Sequence, residues 1–433
     1  MDFRDYGIPA PEWKEYVATH PEAGATARLP EDQSPSEMQA EINAQREQMS
    51  ERLFEAEGLK SAVRIQHAEI CFQGESPRDK LTARVYTKVL GDEDLELDKV
   101  AAVVYFHAGL YVCGNPDTEE YLCSVIASKL RVVVVHICYR QAPQHPHPAA
   151  HNDGKAGFEW VVENAEHLGI DPEQIVIVGL CSGAGVAVST CLRLCNEEKE
   201  ESHDIWDGSP DPSREWGEKR DRNKTEQQKR SGDEKEDTDD SPSSRTVTDG
   251  FTPPGEERRE TGRVKGLVLG FPWLLQESSF PYHAFSSRDA TSRVQCAEAP
   301  VISKEVYDRL SDVLGVEDQT DLWLNVPLAK DAELAKFPRT AFILSGLDLF
   351  RDDGILFADR LHTLGVPRRV HMFPGMPHAF RKYDDLWSSK RFDDVLLLLI
   401  NWALNRTISS MDVGFHVELL REQPQKQAQE NRI

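Results

Sequence analysis

Hydrophobic residues along this chain fall into short continuous runs that alternate with segments of mixed polarity. Residues 100–106 and 132–138 are almost entirely apolar, as expected of strands that are buried on both faces of a sheet. The pattern predicts strands over residues 67–72, 81–89, 100–106, 132–138, 175–178, 264–271, 340–344 and 369–373. It predicts helices over residues 149–165, 183–195, 352–364 and 386–404.

The order of these elements predicts the fold class. Strands that alternate with helices form a mostly parallel sheet whose two faces are covered by the helices. The first two strands follow each other without a helix between them, so they are expected to pair antiparallel. The chain is therefore predicted to be an α/β protein with one central sheet.

Three polar segments lie outside this alternation. Residues 1–62 are polar and rich in helix formers, and are predicted to form an N-terminal arm. Residues 196–262 are mainly charged residues, Ser and Pro, which cannot bury enough apolar surface to offset their ordering entropy. They are predicted to be a disordered insertion, for which an inert role is favoured over a regulatory one. Residues 411–433 are predicted to be a flexible tail. The core then comprises residues 63–195 and 263–410.

Composition and charge exclude several classes of protein. The 433 residues include 50 Lys and Arg against 74 Asp and Glu, so the formal net charge is −24. This charge argues against nucleic acid and anionic membrane surfaces as partners. No apolar run approaches the roughly 18 residues of a membrane span, and the first residues lack the apolar stretch of a signal peptide. Eight cysteines without a CxxC spacing favour a reducing compartment, hence a cytoplasmic location.

The main chemical signal is Gly179-x-Cys181-x-Gly183, which follows the predicted strand 175–178 and precedes a predicted helix. A strand, a tight turn with flanking glycines and a helix form the layout of a nucleophile elbow. A cysteine at its apex lies near the positive end of the following helix, which favours a thiolate. Taken alone, this short motif is a weak signal and fits a buried structural cysteine better.

Polar motifs also follow four other predicted strands. They comprise residues 105–110 (Tyr-Phe-His-Ala-Gly-Leu), 139–150 (Tyr-Arg-Gln-Ala-Pro-Gln-His-Pro-His-Pro-Ala-Ala), 345–352 (Ser-Gly-Leu-Asp-Leu-Phe-Arg-Asp) and 374–380 (Pro-Gly-Met-Pro-His-Ala-Phe). Together with the elbow, these segments resemble the characteristic active-site loops of the hormone-sensitive-lipase-like esterases, a family of the α/β-hydrolase fold. The resemblance covers residues 65–195 and 263–405, with the motifs in the family's order.

The resemblance implies an α/β-hydrolase fold with a helical cap, built here from the N-terminal residues and residues 276–334. It also implies a catalytic triad and an oxyanion hole. The residues are Cys181 as nucleophile, Asp348 as acid and His378 as base, with the backbone N–H groups of Ser182, Gly109 and either Ala108 or Leu110 as oxyanion donors. His378 would accept the proton of the nucleophile and later donate it to the leaving group. Asp348 would orient the imidazole.

Three departures from the family's pattern involve four positions. Cys181 stands where the family has serine, as in dienelactone hydrolases, which this motif also resembles. Ser182 is a poor substitute nucleophile because it lies one residue past the apex of the turn. Leu180 stands where the family has aspartate, and Ala108 and Leu110 replace two glycines of the loop. Each departure indicates specialisation away from generic ester hydrolysis.

Three functions are compatible with these residues. The leading hypothesis is a hydrolase of esters, lactones or thioesters of small to medium apolar substrates, which forms a thioester at Cys181 and serves secondary metabolism. The second is a cyclase, dehydratase or lyase on the same scaffold in a natural-product pathway. The third, a ligand-binding pseudoenzyme, ranks lowest because Asp348 and His378 are both retained.

No cofactor and no metal site are predicted. His145, His147 and His151 cluster beside prolines but lack the cysteine or carboxylate spacing of a metal site. His107 is predicted to shape its own loop. The expected partner is a small-molecule substrate; a homodimer is compatible with the sequence, which does not indicate one.

Overall fold

The structure, a computed structural model, describes residues 1–30, 32–71, 80–90, 99–203 and 264–406, with the backbone alone for 197–203. The strands are β1 (Val63–Ile70), β2 (Leu81–Lys88), β3 (Val100–Phe106), β4 (Val133–Cys138), β5 (Ile170–Leu180), β6 (Val264–Gly270), β7 (Arg339–Leu347) and β8 (Arg368–Pro377). The helices are α1 (Pro11–Thr19), α2 (Pro35–Ala56), α3 (Glu120–Leu130), α4 (Ala149–Glu163), α5 (Ser182–His203), α6 (Ser292–Gln295), α7 (Lys304–Val313), α8 (Asp331–Leu334), α9 (Arg351–Thr363) and α10 (Trp387–Ala403).

The eight strands form one sheet in the order β1-β2-β4-β3-β5-β6-β7-β8. β2 pairs antiparallel with β1 and with β4, and every pair from β4 to β8 is parallel. This arrangement confirms the predicted fold class and the antiparallel start of the sheet. Because the carboxyl ends of parallel strands meet at one edge, the loops that follow β3, β5, β7 and β8 are brought together there.

Two hydrophobic clusters cover the two faces of the sheet. Val104 and Phe106 of β3 belong to one cluster, and Val103 and Tyr105 to the other. All four side chains are fully buried. The alternation follows from the period of two along a strand, and burial on both faces explains why this strand is a continuous apolar run in the sequence.

The strand boundaries differ from the prediction mainly at β1 and β5. β1 occupies Val63–Ile70, whereas the sequence predicts residues 67–72; most of its side chains are partly or fully exposed. An edge strand of this kind carries little apolar signal, so its limits are poorly marked. β5 begins at Ile170, five residues before the predicted start, because its first part is polar and only partly buried.

Two helices correct the prediction. The sequence pattern did not indicate α3, whose side chains are nearly all buried, so that it lacks the polar face by which a surface helix is recognised. α5 continues to His203, so residues 196–203 are helical where the insertion was predicted to begin. The remainder of that insertion and the predicted tail lie outside the described residues.

The N-terminal arm contains α1 and α2. α2 begins with a capping box, in which the Ser34 hydroxyl accepts the Glu37 N–H and the Glu37 carboxylate accepts the Ser34 N–H. The arm also contacts the segment 276–334: Ser303 donates to the Ala27 carbonyl at 2.7 Å, and Arg309 to the Pro30 carbonyl at 2.6 Å. The two segments predicted to form the cap therefore pack against each other.

No helix within the described ranges combines the length and apolar character that crossing a bilayer requires.

Candidate active site

Cys181 lies at the turn between β5 and α5. Its backbone has a φ of +52°, a left-handed conformation that is costly for a residue with a side chain. The turn is held by hydrogen bonds from the Cys181 N–H to the Gly270 carbonyl at 2.7 Å and from the Ala184 N–H to the Cys181 carbonyl at 3.0 Å. The thiol is 2% exposed. This geometry is that of a nucleophile elbow.

Both glycines of the motif are required by close backbone contacts. A Cβ atom at Gly179 would lie 2.3 Å from the Gly183 carbonyl oxygen, and one at Gly183 would lie 2.2 Å from the Phe106 carbonyl oxygen. The turn thus brings β5, the start of α5 and the end of β3 too close together for any side chain at these positions. The spacing seen in the sequence has a direct steric cause.

His378 and Asp348 meet at the same edge of the sheet. Asp348 follows β7 and His378 follows β8, and the His378 Nδ1 lies 2.8 Å from an Asp348 carboxylate oxygen. The other carboxylate oxygen accepts the Phe350 N–H at 2.9 Å, which fixes the orientation of the carboxylate. Because Nδ1 is engaged with Asp348, the imidazole can use Nε2 toward Cys181.

The imidazole of His378 is buried beside the Asp348 carboxylate and the Cys181 sulfur. Burial lowers its pKa, but the charges of Asp348 and Cys181 and the hydrogen bonds to both groups raise it to about 10. The rings of Phe271 and Phe350 flank the imidazole, each with its centroid 5.5 Å away. His378 can therefore hold a proton at neutral pH in a site screened from bulk water.

The loop after β3 has an unusual backbone. Gly109, Leu110 and Tyr111 all have positive φ angles, of +147°, +55° and +64°. The Gly109 carbonyl accepts the N–H groups of Val112 at 2.9 Å and Cys113 at 2.8 Å, which closes a tight turn. A Cβ atom at Gly109 would lie 1.8 Å from the Cys113 carbonyl oxygen, so only glycine fits there.

Three backbone N–H groups near this site are available as donors. Within the described part of the chain, those of Gly109, Leu110 and Ser182 have no hydrogen-bond acceptor. Ser182 begins α5, where first-turn N–H groups are unsatisfied by the helix itself. Its hydroxyl is engaged with the Tyr139 hydroxyl at 3.2 Å, which points to a structural use of that side chain.

The other predicted histidines serve different contacts. His107 is buried, with Nδ1 3.0 Å from His136 Nε2 and Nε2 2.8 Å from Gln141 Nε2. Burial lowers the pKa of His107 well below its usual value, so it is neutral. His147 lies 2.8 Å from an Asp321 carboxylate oxygen. Among the described residues, no group of three His, Cys, Asp or Glu side chains could hold a metal ion.

Residues outside the five sequence motifs also contact the site, and the sequence analysis did not identify Tyr111 or Arg46 among them. Tyr111 packs against Trp273 with ring centroids 5.3 Å apart, and Trp273 stacks on Phe350 at 5.4 Å. Arg46 of α2 donates to the Ala108 carbonyl. A separate cleft of about 370 Å³ lies between α2, α3 and α10, with Tyr121 in its lining, and none of the predicted site residues lines it.

Comparisons with known proteins identify the family of the chain. A family model described as alpha/beta hydrolase fold matches residues 103–382. The chain is 25% identical over 303 residues to the versiconal hemiacetal acetate esterase of Dothistroma septosporum, covering 69% of this chain and 72% of that protein. It is 23% identical over 310 residues to esterase LipI of Mycobacterium tuberculosis, covering 71% and 73%.

Solved structures share the fold. Vibralactone cyclase has a TM-score of 0.69 at 19% identity, covering 93% of this chain and 96% of that one. An esterase of Pyrobaculum calidifontis has a TM-score of 0.62 at 19% identity, covering 92% and 98%.

Proposed function

The chain belongs to the alpha/beta hydrolase fold family and is an enzyme of the carboxylic ester hydrolase type, and from this premise we propose that it acts through a Cys181–His378–Asp348 triad. The observation that supports the triad is the combination of Cys181 at the elbow apex with the 2.8 Å hydrogen bond between His378 and Asp348. A cysteine–histidine pair with a raised histidine pKa is suited to nucleophilic catalysis as a thiolate and imidazolium.

In the first half of the reaction, the Cys181 sulfur attacks the carbonyl carbon of the substrate. The carbonyl oxygen becomes an oxyanion, which accepts hydrogen bonds from the N–H groups of Gly109, Leu110 and Ser182. The intermediate collapses with cleavage of the bond to the leaving alkoxide or thiolate, which takes a proton from His378 Nε2. A thioester at Cys181 and neutral His378 remain.

In the second half, water attacks the thioester carbonyl while His378 accepts one of its protons. The tetrahedral intermediate collapses with cleavage of the carbon–sulfur bond, which releases the carboxylic acid and the Cys181 thiolate beside protonated His378. Asp348 keeps the imidazole in one tautomer and stabilises its cation in both halves. The starting state is thereby restored.

The surroundings of the triad favour apolar substrates. Phe271, Phe350, Tyr111 and Trp273 line the region around Cys181 and His378. We propose esters, lactones or thioesters of small to medium apolar acids, in secondary metabolism; one relative is named for an acetate ester. All eight cysteines lie in the described residues and none forms a disulfide there, which supports a reducing, cytoplasmic compartment.

A second candidate function is cyclisation, which shares the acylation step. Cys181 and His378 are only 2% and 3% exposed, and a closed site of this kind limits access of water to the thioester. A hydroxyl or carbon nucleophile within the bound acyl group would then resolve the thioester in place of water. One structural relative is itself named a cyclase. The two functions differ in their products and not in their covalent intermediate.

The test is turnover of p-nitrophenyl butyrate with intact mass measurement of trapped acyl adducts. Wild type, Cys181→Ala and Cys181→Ser are compared, and Cys71→Ala is the control because Cys71 is the exposed thiol. We expect one acyl group on wild type and on Cys71→Ala, and none on Cys181→Ala. Undiminished turnover by Cys181→Ala would refute the triad. An adduct that forms but is not hydrolysed would favour cyclisation.

A further inference from the structure

The two loop N–H groups of the proposed oxyanion hole are anchored in different ways. The N–H of Leu110 belongs to the same peptide group as the Gly109 carbonyl, which the loop itself binds through the N–H groups of Val112 and Cys113. The N–H of Gly109 belongs to the same peptide group as the Ala108 carbonyl. That carbonyl accepts Arg46 Nη1 of α2 at 2.9 Å, from 62 residues away in the sequence.

Because a peptide group is planar, a hydrogen bond to its oxygen also fixes the direction of its N–H. A guanidinium bound at the oxygen further polarises the group, which makes the N–H a stronger donor. From these contacts we infer that Arg46 is a positioning residue, which orients and strengthens the Gly109 N–H for the oxyanion. This inference rests on the proposed function.

Arg46 is itself held in a defined geometry. Its second guanidinium nitrogen pairs with Glu119, whose other carboxylate oxygen accepts the Tyr105 hydroxyl at 2.7 Å. The side chains of Arg46 and Glu119 are 22% and 8% exposed. The planar fork of arginine can span a carboxylate and a carbonyl at once, which the ammonium of lysine does less well.

The same face of α2 holds the rest of the loop. Gln39 Nε2 donates to the Val112 carbonyl at 2.6 Å, and the Gly114 N–H donates to Asn43 Oδ1 at 2.7 Å. Glu47 accepts from the Asn115 amide. Positions 39, 43, 46 and 47 share one side of a helix. Three consecutive residues with positive φ angles persist only where their surroundings over-determine them, and α2 supplies that support.

The experiment compares Arg46→Ala with Arg52→Ala, the same substitution on the same helix. Arg52 is 57% exposed and pairs with Asp384 at 2.7 Å, away from the loop. We expect Arg46→Ala to lower kcat for p-nitrophenyl butyrate about 10- to 100-fold, since loss of a whole oxyanion donor costs about 10²–10³. KM should change little, and Arg52→Ala should retain wild-type kcat.

Two further measurements separate positioning from general damage. Butyraldehyde adds to the thiol to give a hemithioacetal whose oxygen occupies the oxyanion hole, so its inhibition constant should rise in Arg46→Ala as kcat falls. Added guanidinium should restore part of kcat in Arg46→Ala, and Arg46→Lys should fall between Ala and wild type. A merely structural role predicts neither the parallel change nor the rescue.

A second variant controls for damage to folding. Arg46→Ala leaves the buried Glu119 carboxylate without its cation, so Arg46→Ala with Glu119→Gln removes the charge while the new amide oxygen still accepts the Tyr105 hydroxyl. We expect the double variant to have the same free energy of unfolding as wild type. Its kcat should be lowered as much as that of Arg46→Ala. Wild-type kcat in a folded double variant would overturn the inference alone, whereas a wild type without an acyl adduct at Cys181 would overturn the proposed function and the inference together.

Discussion

The elbow at Cys181 and the loop at Gly109 lie at the same edge of the sheet, but they are built in different ways. The elbow takes its shape from close backbone packing, since a Cβ atom at Gly179 would strike the Gly183 carbonyl oxygen and one at Gly183 would strike the Phe106 carbonyl oxygen of β3. The loop takes its shape from elsewhere, since the Ala108 carbonyl and the Gly114 N–H are bound by side chains of α2.

The two regions differ in how much structural information a short sequence motif carries. A turn whose backbone packs this closely requires glycines at fixed spacing, which a short motif records. A loop that is held by side chains from another element tolerates Ala108 and Leu110 in place of glycine, because the support compensates for the strained backbone. The following changes test the two regions, in order of decreasing effect.

The largest effect is expected at the apex of the elbow. Cys181→Ala should lower kcat/KM by about 10⁴-fold or more, because loss of a nucleophile removes the covalent route. The measurement is turnover of p-nitrophenyl butyrate, with Cys191→Ala in α5, the helix that follows the turn, as the control. Equal losses in both variants would mean that damage to the core of α5, and not loss of the nucleophile, lowers activity.

Asp348→Asn should have the next largest effect. Asparagine removes the negative charge that raises the pKa of His378, so that pKa should fall from about 10, and kcat should fall about 10²- to 10⁴-fold. NMR titration of the His378 ring measures the pKa directly. Asp384→Asn, at a partly exposed carboxylate, should leave the titration unchanged; an unaltered His378 pKa in Asp348→Asn would contradict the assigned cause.

Gly183→Ala tests the steric origin of the elbow. The added Cβ would lie 2.2 Å from the Phe106 carbonyl oxygen, so we expect a loss of about 2–3 kcal/mol in the free energy of unfolding. Gly169→Ala is the control, because Gly169 has a φ of +66° but no atom within 4 Å of the added carbon. Backbone strain alone should cost about 1 kcal/mol there. Urea denaturation of both variants gives the comparison.

Gln39→Ala tests the support of the loop and should have the smallest effect. It removes the hydrogen bond to the Val112 carbonyl, and such a bond contributes about 1 kcal/mol to the free energy of unfolding. We expect a loss of kcat of about tenfold or less, with little change in the denaturation midpoint. Gln45→Ala, on an exposed position of α2, is the control. A stability loss without any loss of kcat would show that this contact serves folding and not the loop.

The prediction from sequence succeeded where the signal was local or repeated. Continuous apolar runs marked the buried strands such as β3, and their alternation with helices predicted the parallel sheet. The roles of Cys181, Asp348 and His378 remain predictions, although the fold brings Asp348 and His378 within hydrogen-bonding distance. The limits of the edge strand β1 were misjudged, and the buried helix α3 was missed. Each lacks the hydrophobic periodicity by which its type is recognised.

From the sequence alone, the order of the motifs along the chain and the glycine spacing around Cys181 could be predicted, because each motif lies within a few adjacent residues. Which distant groups complete the site depends on how the helix and the sheet pack in three dimensions. The bond between Arg46 and the Ala108 carbonyl joins a polar helix to a strand-end loop, and no pattern within either segment encodes the other. Hydrogen bonds of this kind depend on atomic positions that exist only once the helix and the sheet have packed together.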